Sequence, residues 1–555
     1  SFTLEIEEES FSTFDVTFSP SQAGTHQETL QVTTNDVGNN IEEVVFNLTG
    51  NAFDLSDGVV EVPGEVPTIQ EAIDAASDWD TIRVAAGTYQ ENIDIHNKKL
   101  FVIGHDRETT IIEGAGLGTV VILRGDNVGS DMILSGFTIQ NGTPFGDMGG
   151  GITLEDEISP LLTDLIVQNN MTKYGGGGIC VKDGSQLRLS NSIIRNNATV
   201  EDQGHVSGGG ISLVGGSNSF IHNVEVHDNF ATGRGGGISS NQPLTITNSI
   251  IHNNKCGEQA NGIHGWNLYM YNCVVTQNGW GSDNDSGYNG GLSVSLEGSS
   301  RIWNSIVWGN LGDHNIGNTG GISSVDYSII EGGIISGFQV PEKIDWGTHN
   351  SILDPQFNDP ENLDFTPNPQ TAGHVLNNGD PNLFFNNSDG TQNHIGHTGG
   401  IGLVVAPTVL DYGNVSTGDY RSENILLVNN TATDLVLTAI TATDDQFVAS
   451  MGFPHTLESL DSKWLDIGFG PTSTGEQSAA LQLNFDEMSG YDGLVNVSGM
   501  VYDLPSGDIN VPADAPTIQV AIDIATDGKT IVVAPGEYFE NLIMKSNISL
   551  TSSGG

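Results

Sequence analysis

A long stretch of this chain occurs twice. Residues 62 to 92, VPGEVPTIQEAIDAASDWDTIRVAAGTYQEN, match residues 511 to 541, VPADAPTIQVAIDIATDGKTIVVAPGEYFEN, without a gap at an offset of 449. Thr68 and Thr517, for example, fall in register. Because an internal repeat determines the architecture of a whole chain, a fold assigned to one copy must also suit the other.

A smaller module precedes each copy of this stretch. The segment FSPSQAG at 18 to 24 corresponds to FGPTSTG at 469 to 475. One full unit is therefore about 450 residues long. Since residue 1 lies inside a small module and residue 555 inside a large one, the sequence predicts that the chain is part of a longer tandem array.

A shorter repeat of 24 to 32 residues is present within the large module. Segments such as LIVQNN, SIIRNN and SIIHNN each carry an apolar β-branched residue, at Ile139, Val167, Ile194, Val226, Ile251, Val275 and Val307. Glycine runs precede the next apolar stretch, as at Gly178-Ile179. Such repeats are typical of a solenoid in which each coil buries its apolar face only against its neighbours.

An asparagine follows the strand-like segment in six coils, at Asn170, Asn197, Asn229, Asn254, Asn278 and Asn310. Stacked coils would align these side chains, whose amides can bond from coil to coil and satisfy buried turn amides. Because strand residues alternate in direction, Ile194 and Ser192 are expected inside and Arg195 outside. We interpret the six asparagines as a structural ladder.

The segment PTIQEAIDAA predicts a helix that covers the open end of the first coil. Ile69 and the apolar residues after it have helical spacing, and Thr68 with Glu71 has the form of a capping box. The second copy has Val520 in place of Glu71, so the box is not repeated.

Residues 405 to 503 follow a different pattern. Short alternating segments such as ENILLVNNT and AALQLNF, separated by turn residues at regular intervals, predict a sandwich of about 100 residues.

The large module resembles the right-handed parallel β-helix, or pectin-lyase-like, superfamily. The resemblance lies in TIQEAIDAASDWDTIRVAAGTYQENI and in a closing segment at 354 to 400 that is similar to the choice-of-anchor Q type, with DPQFNDPENLDFTPN and SDGTQNHIGHTGG. The small module resembles Ig-like choice-of-anchor D domains, through LDYGNV at 410 to 415 and FGPTSTG. The resemblance implies an exported bacterial protein of the cell surface or extracellular space, and it fixes no activity.

The sequence thus predicts an all-β protein in which a right-handed parallel β-helix alternates with an Ig-like β-sandwich in a tandem array. The expected domains are the C-terminal part of an Ig-like sandwich at 1–54, a β-helix with a capping helix and a closing segment at 55–404, a complete Ig-like sandwich at 405–504, and the start of a second β-helix at 505–555.

The chain is strongly acidic, with 17 Lys and Arg against 69 Asp and Glu and a formal net charge of −52. A protein that binds nucleic acid through phosphate contacts needs a basic surface, so this class is excluded. Charge repulsion favours solubility and opposes adsorption to anionic lipid. No stretch of the sequence approaches the roughly 20 apolar residues of a membrane helix.

The three cysteines, Cys180, Cys256 and Cys273, match no CxxC metal or redox spacing. A bridge between Cys256 and Cys273 is one interpretation. The other is that Cys180 and Cys273 lie in strands as small buried apolar residues.

An outward row of side chains offers a surface for a glycan: Gln140, Gln168, Arg195, His227, His252, Thr276 and Trp308. Neighbours would lie about 4.8 Å apart. Arg195, His227 and His252 would bind an acidic sugar, and Trp303 and Trp308 would stack on a ring. The competing interpretation is that these are solvated outer positions, which the net charge favours because it would repel a polyuronate.

Two oxygen-rich clusters suggest calcium as a ligand. Asp283 and Asp285 lie in GSDNDSG, and Asp380 and Asp389 belong to the second cluster with nearby asparagines. The first cluster lacks the distal Glu of an EF-hand, and for both clusters the competing interpretation, a solvated loop, is the favoured one.

An apolar row is also expected to face outward, formed by Ile166, Ile193, Ile250, Val274 and Ile306. Exposed apolar rows indicate a covering element or a partner. The sequence predicts that the module's own glycine-rich loops or its 340 to 400 tail covers the row, and lateral packing of neighbouring modules is the alternative.

No P-loop, HExxH, GxSxG or paired CxxC motif occurs in the sequence. The sequence therefore predicts a protein that is not an enzyme: an extracellular structural repeat of a long filament, sheath or giant surface adhesin, with copies of itself as partners. The alternative, from another functional class, is a secreted protein that binds or cleaves a polysaccharide.

Overall fold

The computed structural model describes a large part of the chain. The described residues are 16–17, 22, 24–33, 43–53, 58–114, 118–125, 128, 132–143, 149–200, 207–215, 219–257, 260–279, 292–294, 300–311, 315–318, 323–336, 341–381, 391–398, 403–406, 409–429, 434–449, 452–457, 462–486, 494–540, 542, 544–545 and 547–554.

A parallel β-helix occupies the large module. Strands from successive coils pair in parallel and in register, so that Val167 pairs with Ile194 and Ile194 with Val226. These pairings confirm the predicted all-β class and the β-helix. Its strands form three faces.

Among the described residues, the first face consists of twelve strands: Val59–Val62, Thr81–Val84, Phe101–Gly104, the first parts of Ile133–Gln140 and Leu161–Gln168, Arg188–Ser190, Ser219–His222, Leu244–Thr247, Leu268–Tyr271, Arg301–Trp303, Ser323–Asp326 and Ile344–Trp346.

The second face shares the long strands Ile133–Gln140 and Leu161–Gln168 with the first face, because their last parts belong to it. Its other strands are Gly87–Gln90, Thr110–Glu113, Ile193–Arg195, Glu225–His227, Ile250–His252, Val274–Thr276, Ile306–Trp308 and Ile329–Ile330.

In the described part of the chain, the third face contains nine strands: Ile93–His96, Val121–Arg124, Ile152–Leu154, Ile179–Val181, Ile211–Leu213, Ile238–Ser240, Ile263–Gly265, Leu292–Val294 and Ile316–Asn318. A short sheet lies at the turn after the second face, formed by Met171–Thr172, Ala198–Thr199, Phe230–Ala231 and Lys255–Cys256.

The interior of the β-helix is one continuous apolar column. All seven repeating β-branched residues of the second face, from Ile139 to Val307, are fully buried. Ile194 and Ser192 face the core while Arg195 is partly exposed, as the alternation predicts. Each buried Val or Ile contributes roughly 1.5–3 kcal/mol, so the column is the main source of stability.

The predicted capping helix is present in both copies, as Ile69–Ala75 and Ile518–Ile524. The hydroxyl of Thr68 accepts a hydrogen bond from the backbone N–H of Glu71, and Thr517 does the same for Val520. Only half of the expected capping box therefore forms. The Oε2 atom of Glu71 is buried without a hydrogen-bond partner.

A different carboxylate completes each cap. The two oxygens of Glu91 accept hydrogen bonds from the backbone N–H groups of Ile69 and Gln70, both at 3.0 Å. In the second copy, Glu540 accepts the equivalent bonds from the first two helical residues at 3.0 and 2.9 Å. Since these N–H groups have no partner inside the helix, the distant glutamate satisfies them and places negative charge at the helix N-terminus.

The helix Gly333–Ser336 and the 3-10 turn Pro341–Lys343 precede the last strand of the first face. The chain after that strand contains the 3-10 turn Pro360–Asn362 and the hairpin Phe357–Asp359 with Asp364–Pro367. Residues 357–381 and 391–398 of this part are named here the closing segment, and its apolar side chains pack against the second face.

The next module is a sandwich of two sheets around its own core. One sheet contains Leu403–Ala406, Arg421–Asn429, Ser462–Phe469 and Phe447–Ala449, and the other contains Val409–Ser416, Leu494–Tyr502, Gly475–Phe485, Leu435–Ala442 and His455–Leu457. The strands Gly24–Thr33 and Glu43–Ala52 form an antiparallel pair near the start of the chain.

The sandwich contacts the second β-helix through its capping helix. The amide of Asn414 donates to the carboxylate of Asp523 at 2.8 Å, and the guanidinium of Arg421 donates to the backbone carbonyl of Asp523 at 2.8 Å. The strands Ile509–Val511, Thr530–Val533 and Ser549–Ser552 begin the second stack. None of the helices in the described part of the chain has the length and apolarity needed to cross a membrane.

Candidate functional site

The six predicted ladder asparagines lie in one row along the turn that follows the second face. The Oδ1 atom of every asparagine after Asn170 accepts bonds from the backbone N–H and the side-chain amide of the asparagine one coil before, at 3.0–3.1 Å. The Oδ1 atom of Asn170 accepts a bond from the backbone N–H of Gly142 at 2.9 Å. Each Nδ2 also donates to a carbonyl of the preceding coil, as from Asn197 to Val167 at 2.9 Å. The row therefore satisfies turn amides that would otherwise be buried without partners.

Close approach of neighbouring turns requires glycine beside this row. A Cβ atom on Gly210 would lie 2.6 Å from the carbonyl oxygen of Gly237, and one on Gly178 would lie 2.7 Å from that of Gly210. The glycine runs noted in the sequence are thus needed for the coil spacing.

A second polar row, not predicted, lies between the first and second faces. Its members are Ser192, Ser249, Cys273, Ser305 and Ser328. Each hydroxyl donates to the carbonyl two residues earlier, and it accepts a backbone N–H from the previous coil, as Ser249 does from Val224. The repeated dipeptide Asn-Ser before the strand segments was the signal for this row.

Cys273 takes the place of a serine in this second row. Its thiol donates to the carbonyl of Tyr271, and burial raises its pKa to about 12. Cys180 is buried with its pKa raised to about 12 for the same reason. All three cysteines are free thiols, so the Cys256–Cys273 bridge, the first of the two interpretations, is wrong.

The outward row of the second face has the predicted order. The amide of Gln168 donates to Gln140 and accepts from Arg195, both at 2.9 Å. Arg195 stands in register with His227, and His227 with His252. The two imidazoles are stacked, with centroids 4.8 Å apart and planes 4° apart.

The histidine pair is buried, so a glycan could not contact it in this arrangement. His227 is 8% exposed and His252 is 0% exposed. The ring of Phe365 in the closing segment lies 5.1 Å from that of His252. Arg195 is partly exposed.

Carboxylates accompany both histidines. The Nε2 atom of His252 lies 2.8 Å from Oε1 of Glu225, and the Nδ1 atom of His227 lies 2.7 Å from Oδ2 of Asp228. The outward row itself contains no acidic residue between Gln140 and Trp308. Glu225 was missed because it stands two residues before His227 and reaches diagonally to the next coil.

The pKa values of two groups in or beside this cluster are shifted. The hydrogen bond from His252 holds the pKa of Glu225 below its ordinary value, with help from the charges of His227 and Arg195 and against the effect of burial. Burial lowers the pKa of His397, in the closing segment, to about 4, although Asp364 and Glu225 act to raise it.

The last three residues of the apolar row, Ile250, Val274 and Ile306, are covered by the closing segment, as predicted for the 340 to 400 tail. Val274 and Ile306 are buried together with Phe365 and Val375, and Ile250 packs against this cluster. Ile166 is also buried, while Ile193 remains partly exposed.

The two tryptophans expected to stack on sugar lie on different faces. Trp308 packs against the covered apolar row, while Trp303 is on the first face and donates its indole N–H to Asp380 at 3.0 Å. Beside Trp303, the rings of Tyr327 and His349 are stacked 4.2 Å apart. These two rings line a cleft of about 390 Å³ against the closing segment.

The predicted calcium ligands fall mostly outside the described residues. Asp283, Asp285 and Asp389 lie there. Asp380 is described, and one of its oxygens accepts the indole hydrogen bond of Trp303. Calcium binding therefore stays a prediction.

The comparisons with known proteins concern parts of the chain. The family model described as a right handed beta helix region matches residues 119–307. Together with the parallel faces, this match shows a right-handed parallel β-helix. No curated protein matches the sequence.

Solved structures show weak similarity to the chain. The human CEP192 ASH/PapD-like domain is 14% identical, with a TM-score of 0.16 and coverage of 19% of this chain and 87% of that chain. WR4, an MSP family member of C. elegans, is 11% identical, with a TM-score of 0.14 and coverage of 18% and 97%. A family 123 glycoside hydrolase from Clostridium perfringens is 12% identical, with a TM-score of 0.15 and coverage of 17% and 23%. These values carry no functional argument.

Proposed function

We propose that the chain is a non-catalytic structural repeat of a long extracellular or cell-surface bacterial protein, a filament, sheath or adhesin whose partners are further copies of the same modules. The observation that carries the proposal is the duplicated start of the β-helix. Glu91 and Glu540 make the same pair of bonds to equivalent capping helices 449 residues apart.

The distribution of polar groups supports a structural role. Buried polar side chains of the second face and its flanking turns are used mainly in bonds between coils, in the asparagine and serine rows. The sandwich is joined to the next capping helix by Asn414, Arg421 and Asp523, which suits a connector between rigid units. A net charge of −52 keeps such an array soluble in saline water.

Binding or cleavage of a polysaccharide, the alternative, has less support. Two of the proposed contacts, His227 and His252, are buried beneath the closing segment. Arg195 and Trp303 remain accessible in part, but they stand on different faces.

Electron microscopy of the native material tests the structural proposal. The twelve strands of the first face give eleven steps of about 4.8 Å, and one sandwich strand of 11 residues adds about 35 Å. With the capping helix, we expect an axial repeat of about 9 to 11 nm. A version lacking residues 403–502 should lose this regular repeat.

Two results would contradict the proposal. Dispersed single particles in native material would contradict the proposed array. Regular assembly that is unchanged by the deletion would contradict the connector role of the sandwich. A glycan array serves as the parallel experiment: specific binding that is lost in Arg195→Ala, with assembly absent, would favour the polysaccharide alternative.

A further inference from the structure

The polar cluster beneath the closing segment contains a set of metal-ligating side chains. Glu225, His227 and His252 each offer one ligand atom, and these atoms all lie within 4.8 Å of one another. We propose that these three residues form a binding site for a borderline divalent transition metal ion of the Zn²⁺ type.

The fold aligns the ligands without help from a loop. Glu225 and His227 are alternate residues of one short strand, so both point to the same side. His252 stands on the next strand in register with His227. All three are therefore held by the hydrogen-bonded faces of the β-helix, which fixes their backbone positions.

The ligand types select the class of ion. Two imidazoles with one carboxylate suit Zn²⁺ and related first-row ions, whereas Ca²⁺ and Mg²⁺ require oxygen ligands. The site thus differs in chemistry from the calcium clusters predicted at Asp283 and Asp380.

The partners of the histidines match those of metal ligands. Asp228 accepts the Nδ1 proton of His227, which leaves a lone pair on Nε2; a carboxylate in this position fixes the tautomer of a metal-binding imidazole. His252 is fully buried, and its Nδ1 atom has no hydrogen-bond partner. The Nδ1 atom of His397 is likewise buried without one. A metal ion coordinated at Nδ1 of His252 would take the place of the hydrogen bond that this buried nitrogen lacks.

The surrounding charge favours a cation. Glu225 and Asp228 belong to the cluster, and Asp364 of the closing segment acts on His397 beside it. Arg195 is the positive group that acts on Glu225, and it is engaged with Gln168. Three carboxylates against one guanidinium leave the cluster negative when the histidines are neutral.

Binding requires a small adjustment. Bonds of about 2.0–2.2 Å in tetrahedral geometry place ligand atoms about 3.3–3.5 Å apart, so the widest pair must close by roughly 1.3 Å. The imidazoles must also tilt out of their parallel stack, because their lone pairs lie in the ring planes. The proposal requires that rotation of the side chains supplies both movements.

The test uses the full chain after removal of metal by a chelator, titrated with Zn²⁺ and with Co²⁺ in an excess of Mg²⁺ that occupies surface carboxylates. We expect one tight Zn²⁺ per chain and the visible absorption of tetrahedral Co²⁺ at the same stoichiometry. His227→Gln and Glu225→Gln should weaken binding by roughly 100-fold or more, and Asp228→Asn by about tenfold.

Controls separate loss of the site from loss of the fold. Asp228 is an accessible residue with φ of 53°, a conformation that asparagine tolerates, so Asp228→Asn should fold normally. His222→Gln changes a histidine outside the cluster that contacts Thr247, and it should bind metal as the parent does. Absence of the Co²⁺ absorption in the parent, or equal affinity in the parent and all three cluster variants, would overturn the proposal.

Discussion

The Oε1 atom of Glu91 accepts a hydrogen bond from the backbone N–H of Ile69 at 3.0 Å, across 22 residues of chain. The first coil of the β-helix thereby holds the N-terminus of the helix that covers it. Because Glu540 repeats this bond in the second copy, it belongs to the design of the module.

Replacement of this carboxylate should loosen the cap. We expect Glu91→Gln to lower the free energy of unfolding by about 1–2 kcal/mol, since the charged acceptor at the helix N-terminus is lost. Chemical denaturation measures the change. Glu476→Gln, at an exposed strand position of the sandwich, is the matched control and should change stability by less than about 0.5 kcal/mol.

The asparagine row should be most sensitive at its centre. Asn229→Ala removes the acceptor of two bonds from Asn197 and the donor to Ile194, all buried, so we expect a loss of about 3 kcal/mol or more. Asn310→Ala, at the partly exposed end, should cost less because water can replace the lost bonds. Equal losses in denaturation experiments would contradict the ladder's role.

Cys273 offers a test of the serine row. Cys273→Ser should be nearly neutral, because a hydroxyl can keep the bond to the carbonyl of Tyr271 and accept the backbone N–H of Ser249. Cys273→Val matches the volume but not the bonds, and it should cost about 1–3 kcal/mol. The reverse order in thermal unfolding would show that volume alone matters at this position.

Acid should destabilise the β-helix. Burial lowers the pKa values of His222, His264 and His397 to about 4, from 6.5. The folded chain then binds these protons more weakly than the unfolded chain, so the stabilisation is complete above pH 6.5 and is lost as the pH falls towards 4. Denaturation at several pH values in this range gives the slope of the unfolding free energy against pH, which measures the number of protons taken up on unfolding. His264→Gln should reduce that number by up to one. An unchanged slope would mean that His264 does not contribute.

The sandwich should show the opposite dependence at one position. Burial raises the pKa of Glu423 to about 7, with Asp411 adding to the rise and Arg421 opposing it. A raised carboxyl pKa gives stability that is present below pH 4.5 and lost as the pH rises through 7. Glu423→Gln should therefore stabilise the sandwich at pH 8 by roughly 1–2 kcal/mol and have little effect at pH 4. No gain at pH 8 would contradict this.

The fold was predictable from the sequence where a repeat made the signal periodic. The β-branched residues from Ile139 to Val307 and the six asparagines recur once a coil, so their common environment follows from the period alone. The duplicated stretch likewise indicated two β-helices. These features depend on contacts between neighbouring coils. Because the same contact recurs in every coil, the sequence pattern of one coil predicts it for the others.

The candidate metal site was not predictable in the same way. Glu225 contacts His252 by a diagonal reach between coils, and a search along one row of outward positions does not find it. The cover by Phe365 depends on how a non-repetitive segment folds back over more than 100 residues. The bond from Glu91 to the helix was missed for a related reason, since the capping-box pattern directs attention to Glu71.

The parallel pairing of Val409–Ser416 with Leu494–Tyr502 has a mechanical consequence. If an array is pulled from its two ends, the strands near the two ends of the sandwich are drawn in opposite directions along their length. Because they are adjacent and parallel, their hydrogen bonds are loaded together in shear and must break at once, whereas peeling would break them one by one. The connector would thus resist stretching force more strongly than its size suggests.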